Sequence, residues 1–298
     1  MSIQTPWGEL DLYDAHVHFF SNRFFELLTS RSTKVVAGEL GWQAPPEEPE
    51  GLAAVWVNEM KRQGVGRICL IASIPGDEDS VTKAVQSHQS RFRGCFMLNP
   101  LAPNVGAVIE QAFQSGLRTI CLFPAMHRFS LSDPAIEFVY KMAAAQPQAA
   151  VFAHCGVLSV GIRKRLGLPS PFDMRFSNPV DLHGPALRYP NLKFILPHFG
   201  AGYFREALMV GGLCPNVFFD TSSSNSWMTI EALDLVTVFR RALDVLGPKR
   251  LLFGTDSSFF PRGWHRAIFD QQSAALLEIG INAEDAQAIF GGNMASFD

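Results

Sequence analysis

The chain has 298 residues, 47% of them hydrophobic and 18% charged, which is ample material for a large core. Its formal charge of −3 includes no basic block, which argues against nucleic acid or an anionic membrane surface as a partner. No apolar run reaches the roughly 18 residues of a membrane span, and the amino terminus lacks the basic and apolar segments of a signal peptide.

In chain order, short apolar runs alternate with longer amphipathic stretches. The pattern predicts strands near 11–18, 66–73, 93–99, 117–123, 149–154, 192–198, 215–221 and 250–256. Arg67-Ile68-Cys69-Leu70-Ile71-Ala72 and Arg250-Leu251-Leu252-Phe253 are nearly continuous apolar runs, as parallel strands covered on both faces require. Helices are predicted from Leu52 to Gln63, Ser80 to His88 and Val105 to Gln114, and another at Asp133-Pro134, where a capping side chain precedes proline. The longest periodic stretch runs from Met228 to Leu246. Eight strands alternating with helices predict one domain over residues 1–298, a distorted (β/α)8 TIM barrel, with a doubly wound open sheet as the runner-up.

Two insertions interrupt the rhythm, from Ser21 to about Pro49 after the first strand and from Gly161 to about Pro179 after the fifth. Both leave the carboxyl ends of strands, where barrel active sites sit, so they are expected to form lids or substrate walls. The five cysteines, Cys69, Cys95, Cys121, Cys155 and Cys214, are scattered and mostly inside predicted strands. They are expected to be buried reduced thiols of a cytoplasmic protein.

The chemistry collects at strand ends. Asp14-Ala15-His16-Val17-His18 places two imidazoles two residues apart, and strand alternation sends both the same way. Phe152-Ala153-His154, Leu196-Pro197-His198 and Phe253-Gly254-Thr255-Asp256 each end an apolar run on a metal-competent side chain. In a closed barrel His16, His18, His154 and Asp256 meet above the axis and supply three neutral nitrogens and one carboxylate. That set suits one divalent ion, zinc first, with manganese or iron if the site relaxes to five-coordination. Around such an ion the net charge is near +1, which attracts anions and acidifies water. His198 is expected to be a further ligand or a base beside the ion. Some binuclear barrel hydrolases bridge two metals with a carboxylated lysine at the end of the fourth strand; Gly116 to Pro124 contains no lysine, so a single metal is expected. No glycine-rich phosphate cradle precedes a helix, which argues against a nucleotide.

These motifs, with His154-Cys155-Gly156, His198-Phe199-Gly200, Pro190-Asn191-Leu192-Lys193, Pro215 to Asp220 and the terminal Ile289-Phe290-Gly291-Gly292-Asn293, resemble the amidohydrolase-related proteins of the amidohydrolase superfamily. The branch resembled includes aminocarboxymuconate-semialdehyde decarboxylase, resorcylate decarboxylases and pyrone-dicarboxylate lactonases, and the likeness covers nearly the whole chain. It implies that His16, His18, His154 and Asp256 hold one metal and that His198 assists catalysis.

Family substrates are often small carboxylates, for which an arginine within bidentate reach is expected. Arg128, Arg163, Arg205 and Arg262 are the candidates, with His127 as a further polar contact and Trp264 and Phe259-Phe260 as an aromatic wall. The leading expectation is a hydrolase acting on a small, anionic lactone, ester or amide through metal-activated water, with Asp256 and His198 as its catalytic side chains. A metal-dependent non-oxidative decarboxylase of an aromatic or muconate-like acid is the alternative, and a catalytically silent ligand-binding barrel is the third. A homodimer is expected only on the general frequency of symmetric enzymes.

Overall fold

The computed structural model describes residues 2–222, 226–260 and 262–298. A hairpin of β1 (Ile3–Thr5) and β2 (Gly8–Leu10) leads into β3 (Leu12–Phe19), the first of eight parallel strands. The others are β4 (Val65–Ala72), β5 (Phe92–Leu98), β6 (Thr119–Leu122), β7 (Ala150–Ala153), β8 (Lys193–Leu196), β9 (Val217–Asp220) and β10 (Leu251–Leu252). Each strand pairs with its neighbour in sequence, with helices between, and there is no reversal of order. The doubly wound alternative is thereby excluded, since it requires a switch point.

The sheet bends back onto its own first strand. Ala15 N donates to Phe253 O at 2.8 Å, Asp256 N to His16 O at 3.0 Å, and His18 N to Ser257 O at 2.7 Å. The short β10 and the extended residues after it thus meet β3 and close the barrel along a seam.

Strand alternation sorts the side chains into two cores. Tyr13, Ala15, Cys69, Ile71, Cys95, Met97, Cys121, Phe152, Ile195 and Leu252 fill the barrel interior. Leu12, Val17, Ile68, Leu70, Phe96, Leu122, Phe194 and Phe219 face outward onto the helices. Met294 and Phe297 close the lower end of the interior. There the buried Arg93 donates to Phe297 O at 2.8 Å and to Asp298 Oδ1 at 3.2 Å.

The first insertion is not a bare loop. It folds into the helices Asn22–Thr29 and Thr33–Leu40, which the sequence reading did not predict. Phe24, Phe25, Val36 and Leu40 from these pack with Ile162 of the second insertion. Arg165 Nη2 donates to Leu40 O at 3.1 Å and its guanidinium lies 5.3 Å from the Trp42 ring centre. The two insertions therefore form one roof. The single helix expected from Met228 to Leu246 is divided: a 3-10 turn covers Ser226–Thr229 and the helix is Leu235–Leu246. Asp234 sets the new start, its side chain accepting from Thr237 N. All five cysteines are buried and free, and no helix among the described residues is long and apolar enough to cross a membrane.

Candidate metal centre

A β-bulge aims the first two imidazoles. Asp14 pairs with Ile68 and Val17 with Leu70, so β3 spends three residues where β4 spends two. Below this irregularity Tyr13 and Ala15 point inward; above it the inward set becomes His16 and His18. The extra residue is what moves both rings to the interior face.

At the mouth, one ligand atom each of His16, His18 and Asp256 lies within 4.8 Å of the others. His16 Nε2 and His18 Nε2 are 3.2 Å apart, and Asp256 Oδ1 stands 3.1 Å from His18 Nε2 and 3.7 Å from His16 Nε2. The far side of each ring is tied down. His16 Nδ1 donates to Asp220 Oδ2 at 2.6 Å, both groups being buried. Ser73 gives its own proton to Ile71 O, so its Oγ accepts from His18 Nδ1 at 2.7 Å. Both Nε2 atoms consequently turn lone pairs toward each other and toward a carboxylate. Three facing acceptors repel unless a cation sits among them, and imidazole nitrogen with carboxylate oxygen is a donor set that fits zinc, manganese or iron.

The charges agree. Burial works against a charged His16, but Asp220, then Asp256 and Asp14, outweigh it and push the ring up to about 9. The cage thus favours positive charge, whether a proton or a divalent ion in its place. Burial also works to raise Asp256, yet its contact with His18 and the nearby imidazoles hold it well below the ordinary carboxylate range. Gly254 forms the floor: a Cβ there would lie 2.4 Å from Asp220 Oδ1 and 3.1 Å from His16 Cβ.

His154 continues the inward face of β7 and lies one ring further out. It stacks on Phe123 with centroids 5.2 Å apart and meets His198 at 5.1 Å, and His198 in turn lies 5.1 Å from His16. Its buried Nδ1 has no hydrogen-bond partner among the described residues. Burial, with His198 and His16 nearby, pushes its pKa well down, so the ring stays neutral and keeps one nitrogen lone pair open to an electrophile. The structure thus gathers three of the four expected ligands tightly, with His154 beside them through His198. His198 Nδ1 donates to Ser222 O at 2.7 Å; a carbonyl can only accept, so the neutral ring carries its free lone pair at Nε2. His198 and Asp256 both hold left-handed backbone, φ 56° in each, a strain characteristic of functional positions.

Of the expected substrate contacts, Arg262 comes to the centre: its Nη2 donates to Asp256 O at 3.3 Å and to Ser258 Oγ at 2.6 Å. Arg128 donates to Pro171 O, Arg163 to Pro169 O, and the exposed Arg205 pairs with Glu206. The half-buried His127 is pushed down to about 4 by burial, and its Nδ1 has no partner among the described residues. Trp264 is 2% exposed and donates its indole proton to Asp14 Oδ2 at 2.8 Å. It braces the seam, which corrects its expected place in a substrate wall. Asp14 also accepts from Thr255 N and Oγ1 and from His16 N.

Asp220, Ser73 and Ser222 escaped the sequence reading. Asp220 carried a usable signal, since it ends the apolar run Val217-Phe218-Phe219 just as Asp256 ends its own. Ser73 and Ser222 carried none.

A family model described as amidohydrolase matches residues 13–296. Over 85 residues, 28% of the chain, the sequence is 33% identical to Protein fluG of Emericella nidulans, a stretch covering 10% of that protein. The fold superposes on an uncharacterised TIM-barrel protein of Bordetella bronchiseptica with a TM-score of 0.66 and 16% identity, covering 97% of this chain and 98% of that one. It also matches a candidate 2-pyrone-4,6-dicarboxylic acid hydrolase of Pseudomonas putida, with a TM-score of 0.65, 17% identity and 97% of each chain covered. An amidohydrolase of Burkholderia multivorans solved with bound zinc gives 0.63 and 16%, covering 96% of this chain and 98% of that one. At such identities the likeness is one of fold.

Proposed function

Because this chain belongs to the amidohydrolase family matched over residues 13–296, we propose that it is a metal-dependent hydrolase of a small anionic lactone, ester or amide. The observation that carries the reading is the convergence of His16, His18 and Asp256 within 4.8 Å at the carboxyl ends of the strands. Held by His16, His18 and Asp256, a divalent ion, zinc by preference, would supply polarisation of a carbonyl and acidification of water. The chain's own residues do the rest. The Asp256 carboxylate accepts a proton from the attacking water and returns it to the leaving oxygen or nitrogen as the acyl bond breaks. His198, its Nδ1 fixed on Ser222 O, offers Nε2 as a second acceptor. Arg262, free of any carboxylate partner among the described residues, pairs with the substrate anion beside Asp256. The roof of the two insertions limits the entry of bulk water.

The test is elemental mass spectrometry on the purified protein and on a His16→Ala/His18→Ala variant, followed by a lactone and ester screen with carbon dioxide monitored in parallel. About one equivalent of metal, lost in the variant, with water-consuming turnover supports the reading. Carbon dioxide release without hydrolysis replaces it with a decarboxylase, and a folded protein that refuses metal overturns it.

A further inference from the structure

The lower end of the barrel, away from the triad, carries a charge pattern of its own. Arg67 in β4, Arg93 in β5 and Arg118 just before β6 put a guanidinium near the start of three consecutive strands. Neighbouring strands run parallel and begin at the same end, so the three side chains share one rim. With Tyr13 and Asp298 they line a cavity of about 520 Å³, and small-molecule sites occupy roughly 300–1,000 Å³.

The charges there do not balance. Among the described residues, Asp298 is the one acidic side chain lining the cavity against three guanidinium groups, an excess of two positive charges. Arg118 Nη1 donates to Phe113 O at 2.9 Å and to Leu117 O at 2.8 Å and has no carboxylate partner among the described residues. The Arg93 side chain, only 4% exposed, spends its donors on Phe297 O, Gln148 O and Thr119 Oγ1 as well as on Asp298 Oδ1. Carbonyls satisfy N–H groups without cancelling their charge, and a cleft walled by one sign of charge concentrates its field.

Asp298 shows how this rim receives an anion. Its Oδ2 accepts from Arg67 Nη1 at 2.7 Å, and its Oδ1 accepts from Arg93 Nη1 and Tyr13 Oη, each at 3.2 Å. The hold is loose, since Arg67 is 32% and Asp298 37% exposed, a setting in which an ion pair contributes little. One carboxylate also leaves Arg118 without a counter-ion. A phosphate-type group brings about two negative charges and three acceptor oxygens, which suits several guanidinium forks at once.

We propose that this cavity is a second binding site, for a small multivalent oxyanion of the phosphate type. Arg67 and Arg118 hold it over the buried Arg93, and it displaces the side chain of Asp298. The site stands apart from the metal centre and does not depend on the reaction performed there.

Calorimetric titration with inorganic phosphate at constant ionic strength, with acetate as the monovalent control, tests this. Phosphate also meets metal ions, so both the metal-loaded protein and its His16→Ala/His18→Ala variant are titrated. About one equivalent is expected to bind in each, and acetate far more weakly. Arg67→Gln and Arg118→Gln, at partly exposed positions, are each expected to weaken phosphate about tenfold, and Asp298→Asn to tighten it severalfold. Phosphate binding that disappears in the His16→Ala/His18→Ala variant belongs to the metal and overturns the proposal. Equal binding to wild type, Arg67→Gln and Arg118→Gln overturns it as well, and so does weaker binding to Asp298→Asn.

Discussion

With its Oδ2 2.6 Å from His16 Nδ1 and both groups buried, Asp220 decides which ring nitrogen of His16 bears the proton and which faces the centre. A carboxylate behind a ligating imidazole fixes the ring and raises its basicity, and its loss weakens metal binding by about 10–100-fold. Asp220→Asn is expected to do the same here. Competition against a chelator measures it, and unchanged affinity in a folded variant would deny Asp220 this role. The sequence exposed His16, His18, His154, His198 and Asp256 because each ends a recognisable apolar run. It did not expose the partners behind them. The contact between His16 and Asp220 spans 204 positions, and no local pattern encodes which distant carboxylate meets which ring. The arginines show the same limit: Arg262 was indistinguishable from Arg205 until one lay beside Asp256 and the other beside Glu206.

Among the elements, the eight barrel strands were legible because continuous apolar runs bounded by polar stretches have few alternatives. The bulge in β3 was not, although it decides which face His16 and His18 occupy. The roof helices were missed because each is only eight residues long, too short for a helical period to stand out, and they are held in place by a polar hinge. Ser21 caps the helix Asn22–Thr29 by accepting from Phe24 N, and its hydroxyl donates to Asp77 beyond β4. Burial pushes Asp77 from 3.8 up to about 7, against hydrogen bonds from Ser80 and Ser21. A raised carboxyl pKa means that the folded state binds this proton more tightly than the unfolded chain. The resulting contribution is full below pH 3.8 and is lost as pH climbs through about 7. Asp14, pushed by burial to about 6, adds the same trend at lower pH. The denaturant midpoint of the wild type is therefore expected to fall from about pH 4 to about 7 and to level off above that, and that of Asp77→Asn to fall less. Parallel pH profiles for the two proteins would remove Asp77 from the account.

At the scale of the molecule, barrel closure and the candidate centre are one feature. His16 and His18 stand on the first strand of the seam and Asp256 just beyond the last, so the triad exists only where the two ends of the sheet meet. Trp264 and Thr255 fasten that meeting through the buried Asp14. Trp264→Phe removes a buried donor to a carboxylate, at a cost of about 1–3 kcal/mol in urea denaturation. Faster hydrogen exchange at the Ala15 and His18 amides is expected to accompany it, and wild-type stability would contradict the brace. A different consequence concerns synthesis. Asp14 and Thr255 are 241 positions apart, so a ribosome releases both imidazoles long before it makes the carboxylate that completes their set. A nascent chain that has not reached Asp256 carries the two imidazoles without their carboxylate, and no seam. Whatever chemistry the finished protein performs therefore begins only after its last strand has left the exit tunnel, and fragments of it are born inert.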